Sequence, residues 1–108
     1  RQFALRVIRV FSSLDRRNEL QQVIGKQMLR SGTSVGAQYR EARRARSVLE
    51  FVSKLNSALQ ELDETAYWFE LLVESGTVKA SRLIKLQEEA DELIAILVAS
   101  IRTAKKTR

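Results

Sequence analysis

Cysteine, histidine and proline are all missing from this chain of 108 residues. Without cysteine there is no disulfide, no thiolate zinc site and no redox switch. Without histidine the usual general base, the usual metal ligand and every Ser-His or Cys-His arrangement are gone. With no proline and only four glycines, little in the chain forces a long helix to stop. Aromatics amount to 6%. No apolar run approaches the roughly 18 residues of a membrane span, and no signal-peptide pattern is visible. A soluble, cytoplasmic protein without a cofactor is expected. Because the chain begins at Arg1 rather than Met, further N-terminal residues are expected as well.

What is present is 44% hydrophobic residues, mostly Leu, Val, Ile and Ala, and 30% charged residues. That mixture is typical of helical bundles, and the length suits one domain. The net charge of +6 is unevenly spread. Residues 1–46 hold eleven Lys/Arg against three Asp/Glu, and residues 47–76 hold one against six. Residues 77–108 return to seven against four. Such asymmetry suits nucleic acid, and it equally suits pairing between helices or subunits.

Hydrophobic periodicity divides the chain into four helices. In the first, Phe3, Val7, Val10 or Phe11, and Leu14 turn inward, which leaves Leu5 and Ile8 as an apolar excess that fits a second burial surface. Asn18 is placed to cap a second helix running from about Glu19 to Arg46. Ser47 and Glu50 form a capping box at the start of the third. There Val48, Val52, Leu55, Leu59, Leu62, Ala66, Phe69 and Val73 alternate steps of four and three. Gly76 is placed to end that helix. A fourth helix follows, with Ser81 as its expected cap and Leu83, Leu86, Ala90, Leu93, Leu97, Ile101 and Ala104 on its inner face. Short connections between the four predict an all-α, up-down-up-down antiparallel four-helix bundle over residues 1–108.

The stretch RSGTSVGAQYREARRARS, Arg30 to Ser47, concentrates small and hydroxyl residues and then arginines. A phosphate loop would need a preceding strand and a Gly-Lys-Ser/Thr pattern, and neither is there. Ser31, Thr33 and Ser34 lack a base that would make them nucleophiles, so no catalytic, cofactor-binding or metal-binding residue is expected. Read as helix, Gly25, Gly32 and Gly36 share one side at spacings of seven and four. Each costs about 1 kcal/mol relative to alanine, which close backbone approach would offset. Folding the chain about Arg46–Ser47 sets Gly36 near Ala58, Gly32 near Glu61 and Gly25 near Trp68 and Phe69. The third helix is therefore the expected neighbour. The same register brings Arg30 to Glu61 and Glu64, and predicts a partly buried network of Gln27, Arg30, Ser34, Gln38, Glu61 and Glu64. A solvated surface pair is the alternative.

The segments QMLRSGTSVGAQYREA (Gln27 to Ala42), SVLEF (Ser47 to Phe51) and ALQELDETAYWFELLVESG (Ala58 to Gly76) resemble the bacterial four-helix-bundle family of 23S rRNA intervening-sequence proteins. The family pattern reads approximately Q-x-x-R-S-x-x-S-I-x-A-N-x-x-E-A, S-x-x-E/D-F and A-L-x-E-x-x-E-T-x-Y-W-L-x-L-L. Gln27, Arg30, Ser31, Ser34, Ala37, Glu41, Ala42, Glu61, Glu64, Thr65, Tyr67 and Trp68 fit it, while Gln38 stands where the family usually has Asn. The resemblance implies a left-turning bundle that assembles as a homopentameric ring and carries no enzymatic site. It also implies a likeness in fold to the accessory protein of diversity-generating retroelements, a basic pentamer engaging reverse transcriptase and nucleic acid. The family name records a genomic position.

Two functions are in contention. A basic ring surface could bind RNA or DNA backbone through Arg40, Arg43, Arg44 and Arg46, with Arg16, Arg17, Lys105, Lys106 and Arg108 assisting. Arg40 to Arg46 are expected at one pole of the bundle, and Arg16, Arg17 and the C-terminal tail at the other. Only Tyr39 is interleaved with the arginines, so base stacking has little support. Alternatively the ring is an adaptor or scaffold for a protein partner, with Leu5, Ile8, Tyr67 and Trp68 at its interfaces.

Overall fold

The computed structural model describes residues 2–107. Four helices follow one another: α1 (Gln2–Ser12), α2 (Glu19–Arg43), α3 (Val48–Glu74) and α4 (Ala80–Lys106). No strand occurs among the described residues. Each helix packs against its sequence neighbour, and α1 also touches α4, giving the antiparallel up-down-up-down bundle. The molecule is 50 Å long and 19 by 18 Å across.

Local chemistry places most helix ends. Asn18 accepts from the Gln21 amide at 3.0 Å and starts α2. Ser47 accepts from the Glu50 amide at 3.0 Å and starts α3, although Glu50 makes no return hydrogen bond among the described residues. At the far end of α3, Gly76 takes φ +76°, a conformation with no Cβ penalty only for glycine. The Gly76 amide donates to the Val73 carbonyl and the Val78 amide to the Leu72 carbonyl. Two boundaries differ from expectation. The second helix stops at Arg43, three residues early, where the Arg44 amide turns back onto Glu41 and Ala42. Ser81 does not cap α4; the helix begins at Ala80 behind Lys79, which offers no side-chain acceptor.

The core consists of one inward face from every helix. Phe3 and Val7 of α1, Ile24, Met28, Val35 and Ala42 of α2, and Leu83, Leu86, Ala90, Leu97 and Ile101 of α4 are buried, as is Leu14. In α3 the buried residues are Val52, Leu55, Ala58, Leu62, Thr65, Phe69 and Leu72, while Val48, Leu59, Ala66 and Val73 are half-buried. The stripe is thus wider than a simple heptad seam, because α3 packs against α2 on one side and α4 on the other. Phe3 meets Phe69 edge-on, ring centroids 6.4 Å apart, across the diagonal of the bundle.

The glycines of α2 face α1 rather than α3. A Cβ on Gly25 would stand 2.5 Å from Leu14 Cδ1, and one on Gly32 would stand 3.0 and 3.1 Å from the Val7 methyls. The expectation of an α3 neighbour fails because a hairpin register sets which residues lie level with one another, not which side of α2 they occupy. The glycine side points toward the short first helix. Between α2 and α3 the seam holds Ser31 and Thr65, both fully buried.

Candidate nucleic-acid interface

The basic surface is built by chain direction. In an up-down bundle α2 and α4 run the same way, so their C-terminal ends share a pole with the N-terminal end of α3. Ala45, Arg46, Ser47 and Val48 accordingly lie around one groove with Ala104 and Thr107. Lys105 and Lys106 therefore join Arg40, Arg43, Arg44 and Arg46, correcting the expectation that the tail sits at the opposite pole. Arg16 and Arg17, in the link between α1 and α2, are the ones left at the far pole. There the α1–α2 link lies against the start of α4, through Arg82 donating to Ser13 Oγ. Arg108 lies outside the described residues.

Two further members of this pole were not expected from the sequence. Lys54 on the first turns of α3 and Arg102 near the end of α4 bring the basic side chains there to eight among the described residues. Among the described residues only two carboxylates, Glu41 and Glu50, stand with them. The signal was the empty acid column of α4: after Glu92 that helix carries no Asp or Glu. Glu41 takes the Lys54 ammonium at 3.4 Å. No other ion pair forms at this pole among the described residues, and Arg40, Arg43, Arg44, Arg46, Lys105 and Lys106 are all exposed. Farther along the bundle, Arg6 grips Glu89 with two hydrogen bonds, Nε to Oε1 at 2.8 Å and Nη2 to Oε2. Unmatched positive charge is thus concentrated at one end of an elongated rod.

The polar cluster of α2 and α3 is smaller and wetter than expected. Arg30 donates to Glu61 at 3.2 Å and to Glu64 through Nη2. Glu64 also accepts from the Trp68 indole at 3.1 Å. The Trp68 hydrogen bond, with the Arg30 guanidinium behind it, holds the Glu64 carboxyl below the usual carboxylate range, and Arg30 is raised in turn by Glu64. Arg30 is 49% exposed, so the cluster is a surface ion triad of modest worth. Gln27, Ser34 and Gln38 stand outside it. Gln27 is exposed, Ser34 Oγ turns back to its own helix at the Arg30 carbonyl (2.7 Å), and buried Gln38 Oε1 has no partner. The buried polar contact lies one residue along, where Thr65 Oγ1 and Ser31 Oγ meet at 2.8 Å.

No group of three or more Asp and Glu is arranged to hold a metal ion among the described residues. Among the described residues no helix is long and apolar enough to cross a membrane. Tyr67 is half-exposed and stacks edge-on against Trp68, ring centroids 5.1 Å apart.

Comparison with known proteins agrees with this fold. A crystal structure of a protein of unknown function from the S23 ribosomal protein family of Bacteroides thetaiotaomicron superposes with a TM-score of 0.84 and 39% identity, covering 93% of this chain and 92% of that one. No curated protein matches the chain. The family model described as 23S rRNA-intervening sequence protein matches residues 1–99, and the chain belongs to that family.

Proposed function

We propose that this protein is a non-enzymatic, self-associating bundle that binds the phosphate backbone of RNA or DNA through its basic pole. The observation that carries the reading is the convergence of Arg40, Arg43, Arg44, Arg46, Arg102, Lys105 and Lys106 on one end, with Glu41 and Glu50 the only acids beside them among the described residues. Phosphate binding needs unpaired cations and no particular base-reading geometry. Association into a ring, with the pentamer as the expected form, would gather several such poles into an annulus that follows a backbone. Arg16 and Arg17, at the other pole, take no part in this surface.

The test is binding of a fluorescent single-stranded RNA and a DNA duplex across a salt series. Affinity is expected to fall steeply with salt, and the log–log slope to shrink by about 0.7–0.9 for each phosphate left without its cation. Arg40, Arg43 and Arg44→Ala together should flatten it. Absence of binding at low salt overturns the proposal. Light scattering tests the ring: a stable monomer overturns the annulus.

A further inference from the structure

Two apolar faces of opposite charge lie on opposite corners of the bundle. α1 and α3 each pack against α2 and α4, so they stand diagonally across from one another. On the outer side of α1, Leu5 and Ile8 are 44% and 40% exposed, with Arg9 and Ser12 exposed beside them. Arg9 has no ion-pair partner among the described residues, and QFALRVIRVFS contains no acid. This face is apolar and basic.

The outer side of α3 is acidic. Gln60, Asp63, Tyr67, Glu70 and Glu74 follow one another at steps of three and four, and all five are exposed. After Lys54, α3 carries no base. Asp63, Glu70 and Glu74 have no ion-pair partner among the described residues. Tyr67, 51% exposed, is propped edge-on by Trp68, whose indole donates to Glu64. On the adjoining flank of α2, Leu20 and Val23 are exposed on the stripe that runs through Gln27 to Arg30, the residue that reaches Glu61 and Glu64.

We infer that the α1 face of one copy docks on the α2–α3 face of the next, Leu5 and Ile8 against Tyr67 and its apolar neighbours, with Arg9 toward Asp63 and Glu70. This contact rests on the self-association proposed above and gives it a surface. Apolar and aromatic anchors within a charged rim are the usual anatomy of an interface. Like faces do not pair, since α1 on α1 joins two cationic faces and α3 on α3 two anionic ones. The contact is therefore heterologous, each copy offering one face and receiving on the other, and it repeats until it closes. The two faces stand level. Val7 meets Gly32 and Arg30 meets Glu64, and Ile8 and Tyr67 each lie within one turn of these contacts. Successive copies thus stand side by side without axial stagger, which closes a ring rather than winding a filament. All copies then point the same way, and their basic poles share one rim.

The experiment is light scattering and sedimentation of the protein and its variants, with circular dichroism showing that each is folded. Ile8→Asp and Tyr67→Asp, one on each face, should each shift the protein to monomer. Arg9→Glu alone, and Asp63→Arg with Glu70→Arg, should each raise the dissociation constant by about ten-fold, because like charges then face one another. All three charge reversals in one chain restore the match and should return it to within about three-fold of the wild type. Assembly that survives either Ile8→Asp or Tyr67→Asp, or reversals that do not compensate, overturns the inference while self-association stands. A monomeric wild type overturns both.

Discussion

Ser31 Oγ and Thr65 Oγ1 lie 2.8 Å apart in the fully buried seam between α2 and α3. Each hydroxyl also faces a carbonyl of its own helix, Ser31 that of Gln27 at 3.0 Å and Thr65 that of Glu61 at 2.7 Å. A hydroxyl has one proton, so one donates across the seam while the other returns its proton to its own backbone. Both are satisfied with no charge buried, and the small side chains let the two long helices approach.

That pair predicts a coupling. Ser31→Ala and Thr65→Val should each lower stability by about 1 kcal/mol, the usual worth of a neutral hydrogen bond. The double variant should lose less than the sum, since either change alone already breaks the cross-helix bond. Urea unfolding of the four proteins checks it; strict additivity would show that the contact is idle.

The glycine stripe predicts effects of opposite sign. Gly32→Ala pushes a methyl against Val7, a stiff β-branched side chain that is fully buried. Overpacking of about 1–3 kcal/mol then exceeds the helix-propensity gain of about 1 kcal/mol, and the protein is destabilised. Gly36→Ala adds a methyl to open space and should stabilise by up to about 1 kcal/mol. Thermal melts of the two variants separate these outcomes.

For Glu64, whose folded carboxyl titrates below its ordinary range, the contribution to stability is present above the unfolded value and is lost as pH falls through the folded one. Glu64→Gln should therefore be less stable than the wild type near neutrality, by no more than about 1 kcal/mol at this exposed site. The gap should close in acid. Trp68→Phe removes the indole donor and should return the Glu64 titration, followed by carboxyl NMR, toward its ordinary value.

Placement of the tail beside the α2 arginines predicts shared function. Lys105→Glu with Lys106→Glu should weaken nucleic-acid binding and flatten its salt dependence much as Arg43→Ala with Arg44→Ala does, by about 0.7–0.9 in slope for each phosphate no longer neutralised. Arg16→Ala with Arg17→Ala, at the other pole, should change neither. An equal weakening from the Arg16 and Arg17 pair would show that binding is not confined to one end.

Whatever depends on a few neighbouring residues was readable along the chain. The Asn18 and Ser47 caps, the positive-φ stop at Gly76 and the inward faces of α1 and α4 follow from hydrogen bonds and contacts spanning at most a few turns. The triad of Arg30, Glu61 and Glu64 follows from one hairpin register. Other features depend on which distant helix comes alongside. Gly25 and Gly32 are helical in any arrangement, and only packing of α1 across α2 gives them Leu14 and Val7 as neighbours. Gln38 was placed on the right helix with the wrong company, since a side chain's partner is set by its angle around the axis as well as its register. The basic pole belongs to the same class. Its charges come from the ends of α2 and α4 and the start of α3, stretches far apart in the sequence. The sequence alone determined four amphipathic helices and most of their ends, because those are settled by local hydrogen bonding and periodic burial. The tertiary structure decided that the positive charge gathers at one end and that α1 fills the glycine side of α2, because both depend on which helices lie side by side.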